Sequence, residues 1–308
     1  MVSVPQSAEL PAVVTAQATS LAEAQAWCRR LARSHYENFL VATCFVPRSL
    51  RQHFYNLYAY CRVADDLADE SENLEQSQMA LDRWQTMLEE CYAGRASHPI
   101  FVALASTIHD FTIPIEPFGD LLVAFRRDQL QHRYETVDEL LGYCRYSANP
   151  VGRLVLHLGR CHAEATCELS DSICTGLQLA NFCQDVARDF KAGRIYLPRE
   201  TIDAAEYCEG LLADGVENAA FARLMQTEVD RAENYLRSGL PLVELVPDWL
   251  AVDVAMFIEG GLEVLREIRR NDYRVLSSRP TVSKRRQLSL LARTWLRRRF
   301  SRSRRRAA

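Results

Sequence analysis

Four aspartates, set in two pairs, are the residues of this chain best placed to do chemistry. Asp65 and Asp69 stand four apart in Ala64-Asp-Asp-Leu-Ala-Asp69, and Asp185 and Asp189 stand four apart in Asp185-Val-Ala-Arg-Asp189. Residues four apart on a helix share a face, so each pair aims two carboxylates at one point. Like charges so placed repel, and an isolated helix gains nothing from them. A hard divalent cation removes the conflict, because Mg²⁺ takes oxygen ligands and is usually held by one or two carboxylates plus phosphates. Two such helices facing each other across a cavity would hold Mg²⁺ and, through it, a diphosphate.

Each pair belongs to a longer polar stripe. Tyr58, Arg62, Asp65 and Asp69 fall at i, i+4, i+7 and i+11, and their neighbours Phe54, Leu57, Tyr60, Val63 and Leu67 are apolar. A polar stripe flanked by apolar residues on both sides reads as a cavity wall and not as a solvated face. Asp66 and Glu70 lie off this stripe and are expected in solvent. Gln178, Asn181, Asp185 and Asp189 form the second stripe, again inside an apolar run that includes Leu177, Leu179, Phe182 and Val186. Every side chain in it offers an oxygen to a hard cation. Deleting one carboxylate from either pair is expected to relieve repulsion and to leave stability equal or raised.

Long helices are what the rest of the chain provides to position these stripes. Only 12 glycines and 11 prolines occur in 308 residues, which disfavours a strand-and-turn architecture. Periodicity predicts helices over 21–34, 49–71, 74–93, 99–110, 117–132, 137–147, 151–167, 170–191, 214–237, 249–271 and 283–300. Ser20 and Thr136 are expected caps, Asn149-Pro150 interrupts one helical run, and Gly193-Arg-Ile-Tyr-Leu-Pro198 is irregular. No fixed-period repeat and no Gly/Ser linker occurs, so one all-α domain is expected over 21–296. Residues 1–20 read as a disordered lead and a poor signal peptide, and 297–308 as a basic tail.

Hydrophobic residues make up 48% and charged residues 25%, ordinary for a globular protein. No run approaches the roughly 20 apolar residues of a membrane span. The ten cysteines include no Cys-x-x-Cys pair and mostly lie in apolar helical patterns, so they read as reduced core thiols of a cytoplasmic protein. Cys161-His162 with Cys167 matches no common zinc spacing. Eleven of the 37 basic residues, and no acid, fall in 284–308, leaving a net charge of −14 on the remainder. Leu288, Leu290, Leu291, Trp295 and Leu296 beside those arginines suit an anionic membrane surface, so peripheral contact at the inner face is expected. Charge alone, without a recognised motif, does not make this tail a nucleic-acid binder.

Several stretches in their order along the chain resemble the squalene and phytoene synthase family. They are Tyr58-Ala-Tyr-Cys-Arg62-Val-Ala-Asp65-Asp-Leu-Ala-Asp69, Tyr143-Cys-Arg-Tyr-Ser-Ala-Asn-Pro-Val-Gly152, Gln178 to Asp189, Gly193 to Pro198 and Asn271-Asp-Tyr273 to Lys284. The likeness covers roughly residues 30–290. It implies an all-α isoprenoid synthase bundle in a single domain, with the aspartate motifs on opposing walls of a deep central cavity. His35-Tyr-Glu-Asn38-Phe39, Ser147 to Arg153 and Asn181-Phe-Cys-Gln184-Asp185 make the chain most similar to the bacterial hydroxysqualene synthases of hopanoid biosynthesis. Most of the family has arginine where Gln184 stands, and Val-Ala-Gly in place of Ser147-Ala148-Asn149.

The resemblance implies roles. Asp65, Asp69, Asn181, Asp185 and Asp189 hold Mg²⁺. Tyr58, Arg62, Gln178 and Tyr273 contact diphosphate; His35 and Asn38 lie at the pocket mouth, and Gln184 and Lys284 belong to the substrate site. Phe39, Tyr143 and Tyr146 are candidates to face a carbocation, which aromatic rings stabilise. The implied reaction ionises presqualene diphosphate, rearranges the cation and captures it with water, with no nicotinamide. Polar groups at the Ser147–Pro150 break are expected to hold that water. Other squalene-forming enzymes are possible partners. The alternatives are a synthase condensing two prenyl diphosphates such as farnesyl diphosphate (a presqualene diphosphate, dehydrosqualene or phytoene synthase) and, remotely, a non-catalytic assembly protein of the same fold.

Overall fold

Few breakers and strong helical periodicity give thirteen helices and no strand among the described residues, which in this computed structural model are 20–34, 46–69, 71, 73–283 and 286. The helices gather in two compact units, one up to Leu130 and one from Gln131 onward.

The first unit holds α1 (Leu21–Ser34), α2 (Arg51–Asp69), α3 (Leu74–Tyr92), α4 (Pro99–Phe111) and α5 (Glu116–Asp128). Ser20 caps α1 as expected: its hydroxyl accepts from the Glu23 N–H at 3.3 Å, and Glu23 accepts from the Ser20 N–H at 2.9 Å. Tyr60, Trp84, Phe101 and Phe118 form the buried aromatic centre, with rings 4.6–6.0 Å apart. The Tyr60 hydroxyl donates to the Phe118 carbonyl at 3.0 Å, so burying the ring leaves its polar tip satisfied. Asn56 donates to Ala103 O and Thr107 Oγ1, both at 3.0 Å. These contacts pin the Leu57–Tyr60–Leu67 face of α2 inward and turn the Tyr58–Arg62–Asp65–Asp69 stripe away from the core.

The second unit holds α6 (Val137–Ser147), α7 (Asn149–Leu158), α8 (Glu164–Lys191), α9 (Arg199–Ala204), α10 (Glu209–Ala213), α11 (Ala219–Ser238), α12 (Leu242–Leu245) and α13 (Asp248–Arg270). Helix α8, 28 residues and about 42 Å long, is its axis; α6, α7, α11 and α13 all pack on it. Thr136 caps α6, accepting from the Glu139 N–H at 3.2 Å.

Three boundaries differ from the sequence expectation. The break expected at 168–169 falls instead at 159–163, where Arg160 is left-handed (φ 51°) and Thr166 Oγ1 accepts from Ala163 N and donates to Cys161 O. Ser170, a good cap by type, is buried inside α8. Helix α5 stops at Asp128, because residues 132–135 run extended to pair their carbonyls with the N–H groups of Ile195, Arg199 and Glu200. Helix α11 starts at Asn218, which accepts from Phe221 N at 3.0 Å; Gly215, at φ 67°, ends the short α10 before it. The helix expected over 283–300 lies outside the described residues, apart from 283 and 286.

Beyond α13 the chain runs back as a strap tied at several points. Leu276 N and Ser277 Oγ donate to the Glu217 carboxylate at 2.8 and 2.7 Å. Glu263, fully buried, takes Arg266, Arg270 and Arg286 at 2.9, 3.1 and 2.7 Å. Burial alone would push the Glu263 carboxyl up, but the arginine hydrogen bonds overrule it and bring it down to about 2. No described helix is long and apolar enough to cross a membrane. The described cysteines are free thiols, most of them buried.

Gly176 sets the spacing of α8 and α11. A Cβ there would lie 2.8 Å from the backbone nitrogen of Leu236, and one on Gly261 of α13 would lie 2.9 Å from the Leu236 side chain. Gly176→Ala should therefore lower stability by about 1–3 kcal/mol through overpacking, although Ala is the better helix former. Denaturant unfolding measures it; an unchanged or raised midpoint contradicts this packing.

Candidate active site

The two aspartate pairs sit on half-buried helix faces, each beside an arginine. On α2, Arg62 Nη1 reaches Asp65 Oδ2 at 3.3 Å, and its Nη2 pairs with Asp66. Asp66 is therefore a half-buried ion-pair partner and not the solvated residue the stripe analysis expects: at i+4 from Arg62 it is as close as Asp65. Burial pushes the Asp65 carboxyl up to about 6, the charge of Asp69 adds to this, and Arg62 pulls against both. Asp128 of α5 raises it further. Tyr58 lies in the same field, its phenol pushed up by burial and pulled back by Arg62. Asp69 is exposed at the end of the helix.

On α8, Asp185 is only 6% exposed and is clamped by Arg279 of the strap. Arg279 Nε lies 2.5 Å from Asp185 Oδ1 and Nη2 lies 3.0 Å from Oδ2, a two-pronged contact of the kind guanidinium and carboxylate make best. Gln184 completes the clamp: it accepts from Arg279 Nη2 at 3.2 Å and donates to the Pro280 carbonyl at 2.5 Å. The position where the resemblance leads one to expect arginine thus has a guanidinium delivered to it from ninety-five residues away. Arg279 is the functional residue that sequence reasoning missed. Its only signal was membership of the Asn271–Lys284 stretch. Asp189 is pushed up to about 6, by burial first and Asp185 second, against Arg194, Arg188 and Arg279. Asn181 is exposed and Gln178 half-buried on the same helix.

An aromatic stack adjoins this second pair. Phe182 and Tyr196 are parallel, 4.0 Å apart, and Tyr143 lies 5.8 Å from Tyr196 and 6.2 Å from Phe182. Tyr134 closes the group at 5.7 Å from Tyr143. Phe182, Tyr196, Asp189 and Arg194 line one crevice. Tyr146, by contrast, has the Arg145 guanidinium at 5.9 Å from its ring. Tyr273 sits half-buried in a left-handed turn (φ 60°) after α13. His35, Asn38, Phe39 and Lys284 lie outside the described residues.

Among the described residues no three His, Cys, Asp or Glu side chains converge as a metal cage. Each pair offers two carboxylates, one of them raised by burial and then by its neighbour's charge, with amide oxygens close by on α8. That donor set fits a hard cation that keeps water and phosphate in its shell, and not a metal needing sulfur or imidazole.

Residues 32–286 match the squalene/phytoene synthase family. The chain belongs to that family. It is 31% identical over 293 residues to the 15-cis-phytoene synthase of Synechocystis sp., covering 90% of this chain and 86% of that protein. Among solved structures it is similar to the squalene synthase HpnC from Alicyclobacillus acidocaldarius, with 44% identity and a TM-score of 0.80 over 82% of this chain and 95% of that one. A dehydrosqualene synthase bound to a ligand gives 26% identity and a TM-score of 0.80 over 89% and 96%. The all-α isoprenoid synthase fold is therefore as the family requires, and its members are enzymes that use prenyl diphosphates.

The two aspartate pairs should respond oppositely to mutation. Asp65→Ala removes a charge opposed by burial and by Asp69, so the thermal midpoint at neutral pH should hold or rise. Asp185→Ala strands Arg279, so the expectation of equal or raised stability is withdrawn there, and a loss on the order of 1–3 kcal/mol is expected. Raised carboxyls bind protons more tightly folded than unfolded, so the contribution of Asp65 and Asp189 to stability falls as pH rises from 3.8 to about 6. Thermal midpoints across that window should decline less in Asp65→Asn/Asp189→Asn than in the parent; parallel profiles would remove the raised carboxyls from the account.

Proposed function

We propose that this protein is a hydroxysqualene synthase that converts presqualene diphosphate and water to hydroxysqualene and diphosphate. The observation that supports ionisation chemistry is the pair of self-repelling carboxylate faces, each carrying one carboxyl raised to about 6. The product class draws on the motif likeness to hydroxysqualene synthases and on Gln184 in place of arginine, which leaves the second face one fixed charge poorer on its own helix, while the 44% identity to the squalene synthase HpnC supports squalene-type chemistry.

In this reading Asp65, Asp69, Asn181, Asp185 and Asp189 hold Mg²⁺, which when bound neutralises charge on the departing diphosphate. Tyr58, Arg62, Gln178 and Tyr273 orient the diphosphate by hydrogen bonds, and His35, Asn38 and Lys284 complete its surroundings. Loss of diphosphate leaves a cyclopropylcarbinyl cation, which Tyr143 and Phe39 shield with aromatic faces until rearrangement and water capture. No nicotinamide takes part, because capture by water leaves no hydride to be delivered. Condensation of two prenyl diphosphates is the second reading, favoured by the phytoene synthase relatives, one of them at 31% identity.

Mg²⁺ competes with protons for the raised carboxyls, so it should lift the thermal midpoint more at pH 7.5 than at pH 5. Asp65→Ala should cut turnover by orders of magnitude. Mass spectrometry of the C30 product made in oxygen-18 water should show the label, with no change on adding NADPH. Unlabelled squalene appearing only with NADPH, or presqualene diphosphate accumulating from farnesyl diphosphate, would assign the chain to a condensing or reducing relative.

Peripheral binding at an anionic membrane through the 284–308 arginines is part of the same proposal, since each basic residue near such a surface contributes about 1 kcal/mol. Protein truncated after residue 296 should sediment less with anionic liposomes at low salt, and the difference should vanish at high salt. Equal sedimentation of both forms would remove the tail from this role.

A further inference from the structure

Where α6 passes into α7, Ser147 and Asn149 lie at a contact with α8 that also carries Thr175, Ser170 and the Arg153–Asp171 ion pair. Asn149, 7% exposed, accepts a hydrogen bond from Thr175 Oγ1 of α8 at 3.0 Å, and Thr175 is itself 5% exposed. Ser147 Oγ is enclosed and has no hydrogen-bond partner among the described residues. Burying a hydroxyl without a partner costs free energy, so a protein that keeps one there has a use for it or forgoes stability. Pro150 has no N–H for the carbonyl four residues back, and Val151 N turns to Ala148 O at 3.2 Å, so the helix is interrupted at this point.

Two contacts fix the level of Ser147 along α8. Tyr143 meets Phe182 at one end and Asn149 meets Thr175 at the other, so α6 runs antiparallel to α8 and Ser147 falls between them, beside the turn of Gln178. Seven residues separate Gln178 from Asp185, which is about 10 Å of helix rise. That distance spans a diphosphate held at Asp185 together with the first carbons of the chain attached to it.

We propose that Ser147, with Asn149 locked by Thr175, positions the water that captures the carbocation and so sets the product. This rests on the hydroxysqualene synthase reading and deepens it. The carbon–oxygen bond of the substrate breaks with its electron pair leaving on diphosphate. After rearrangement a lone pair of the held water forms the new carbon–oxygen bond, and the proton lost from the resulting oxonium goes to the released diphosphate. Nothing is oxidised or reduced. Ser147 and Asn149 are neutral and too weakly basic to take a proton from carbon, so they orient water without promoting elimination. They are positioning residues, since neither bonds to the reacting atoms.

The test incubates the full-length enzyme, Ser147→Ala and Thr175→Val with presqualene diphosphate and Mg²⁺ in oxygen-18 water. Diphosphate release, labelled alcohol and C30 hydrocarbon are measured together. The ratio of alcohol to hydrocarbon should fall roughly tenfold in each variant, the effect of one lost hydrogen bond, while diphosphate release changes little. The thermal midpoint of Ser147→Ala should hold or rise, because the variant deletes an unpartnered buried hydroxyl; a purely structural serine would lower it. An unlabelled product from the parent enzyme would sink the hydroxysqualene synthase reading itself. Labelled alcohol from the parent, with the same product ratio in both variants, would overturn the assignment of Ser147 and Asn149 alone.

Discussion

Like charges held four residues apart beside an apolar core impose the constraint around which both units are built. Two carboxylates on one helix face gain nothing from each other, and partial burial makes each charge more costly still. The protein meets that cost with guanidinium groups placed asymmetrically. Arg62 reaches Asp65 and Asp66 from within α2, while Arg279 clamps Asp185 from the strap after α13. On α2 the arginine-paired carboxyl is itself the raised one, Asp65 at about 6, while on α8 the arginine holds Asp185. Asp189, the member without the clamp, is raised to about 6, yet at neutral pH it remains mostly ionised. The faces are thus kept charged and under mutual repulsion, the condition in which an added divalent cation gains most.

Such a face is useful only if its helix cannot yield. In the first unit the packed rings of Tyr60, Trp84, Phe101 and Phe118, with Asn56 satisfied by α4, fix the rotation of α2. In the second unit Leu236 wedged against Gly176 and Gly261 fixes α8 against α11 and α13 at a spacing that a single methyl would disturb. The strap couples charge to this packing. Glu263 gathers three arginines on a fully buried carboxylate, and breaking such a network by removing one partner is far more damaging than its net contribution suggests. Because Arg279 and Arg286 lie on one short segment, the counter-ion of Asp185 and the anchor of the strap hold together.

What the sequence made legible follows the range of the interactions involved. Helical period and the Ser20 and Thr136 caps are local, and the structure places them as expected; the two aspartate stripes fall on helices, as their spacing requires. The continuous α8 was misjudged because Ser170 has the side chain of a cap but is buried by α7, and burial overrides that local preference. Asp66 was assigned to solvent because a stripe drawn as a line ignores that Arg62 reaches i+3 and i+4 alike. Arg279 and Tyr196 had no signal beyond lying in stretches that resemble the family, and Thr175 had none. Each acts through a partner dozens of residues away or across a helix contact, and the spacing rules of a single helix carry nothing about such partners.

The choice of neutral side chains at the α6–α7 break also follows from the chemistry next to it. A carboxylate or imidazole near an allylic or cyclopropylcarbinyl cation would either pair with it or take a proton from carbon, and both outcomes end the reaction before water adds. On α8 the charged residues nearest Gln178 are Asp171, paired with Arg153, and Asp185, each seven residues and about 10 Å of helix rise away. Serine and asparagine offer lone pairs and donors without a competing base strength. Their cost is the burial of polar groups. Thr175 offsets that for Asn149 and nothing described offsets it for Ser147. The uncompensated hydroxyl singles out one atom of the break: the Asn149 side-chain oxygen has its partner in Thr175, while the Ser147 hydroxyl has none among the described residues and is left to bind a molecule that is not part of the chain.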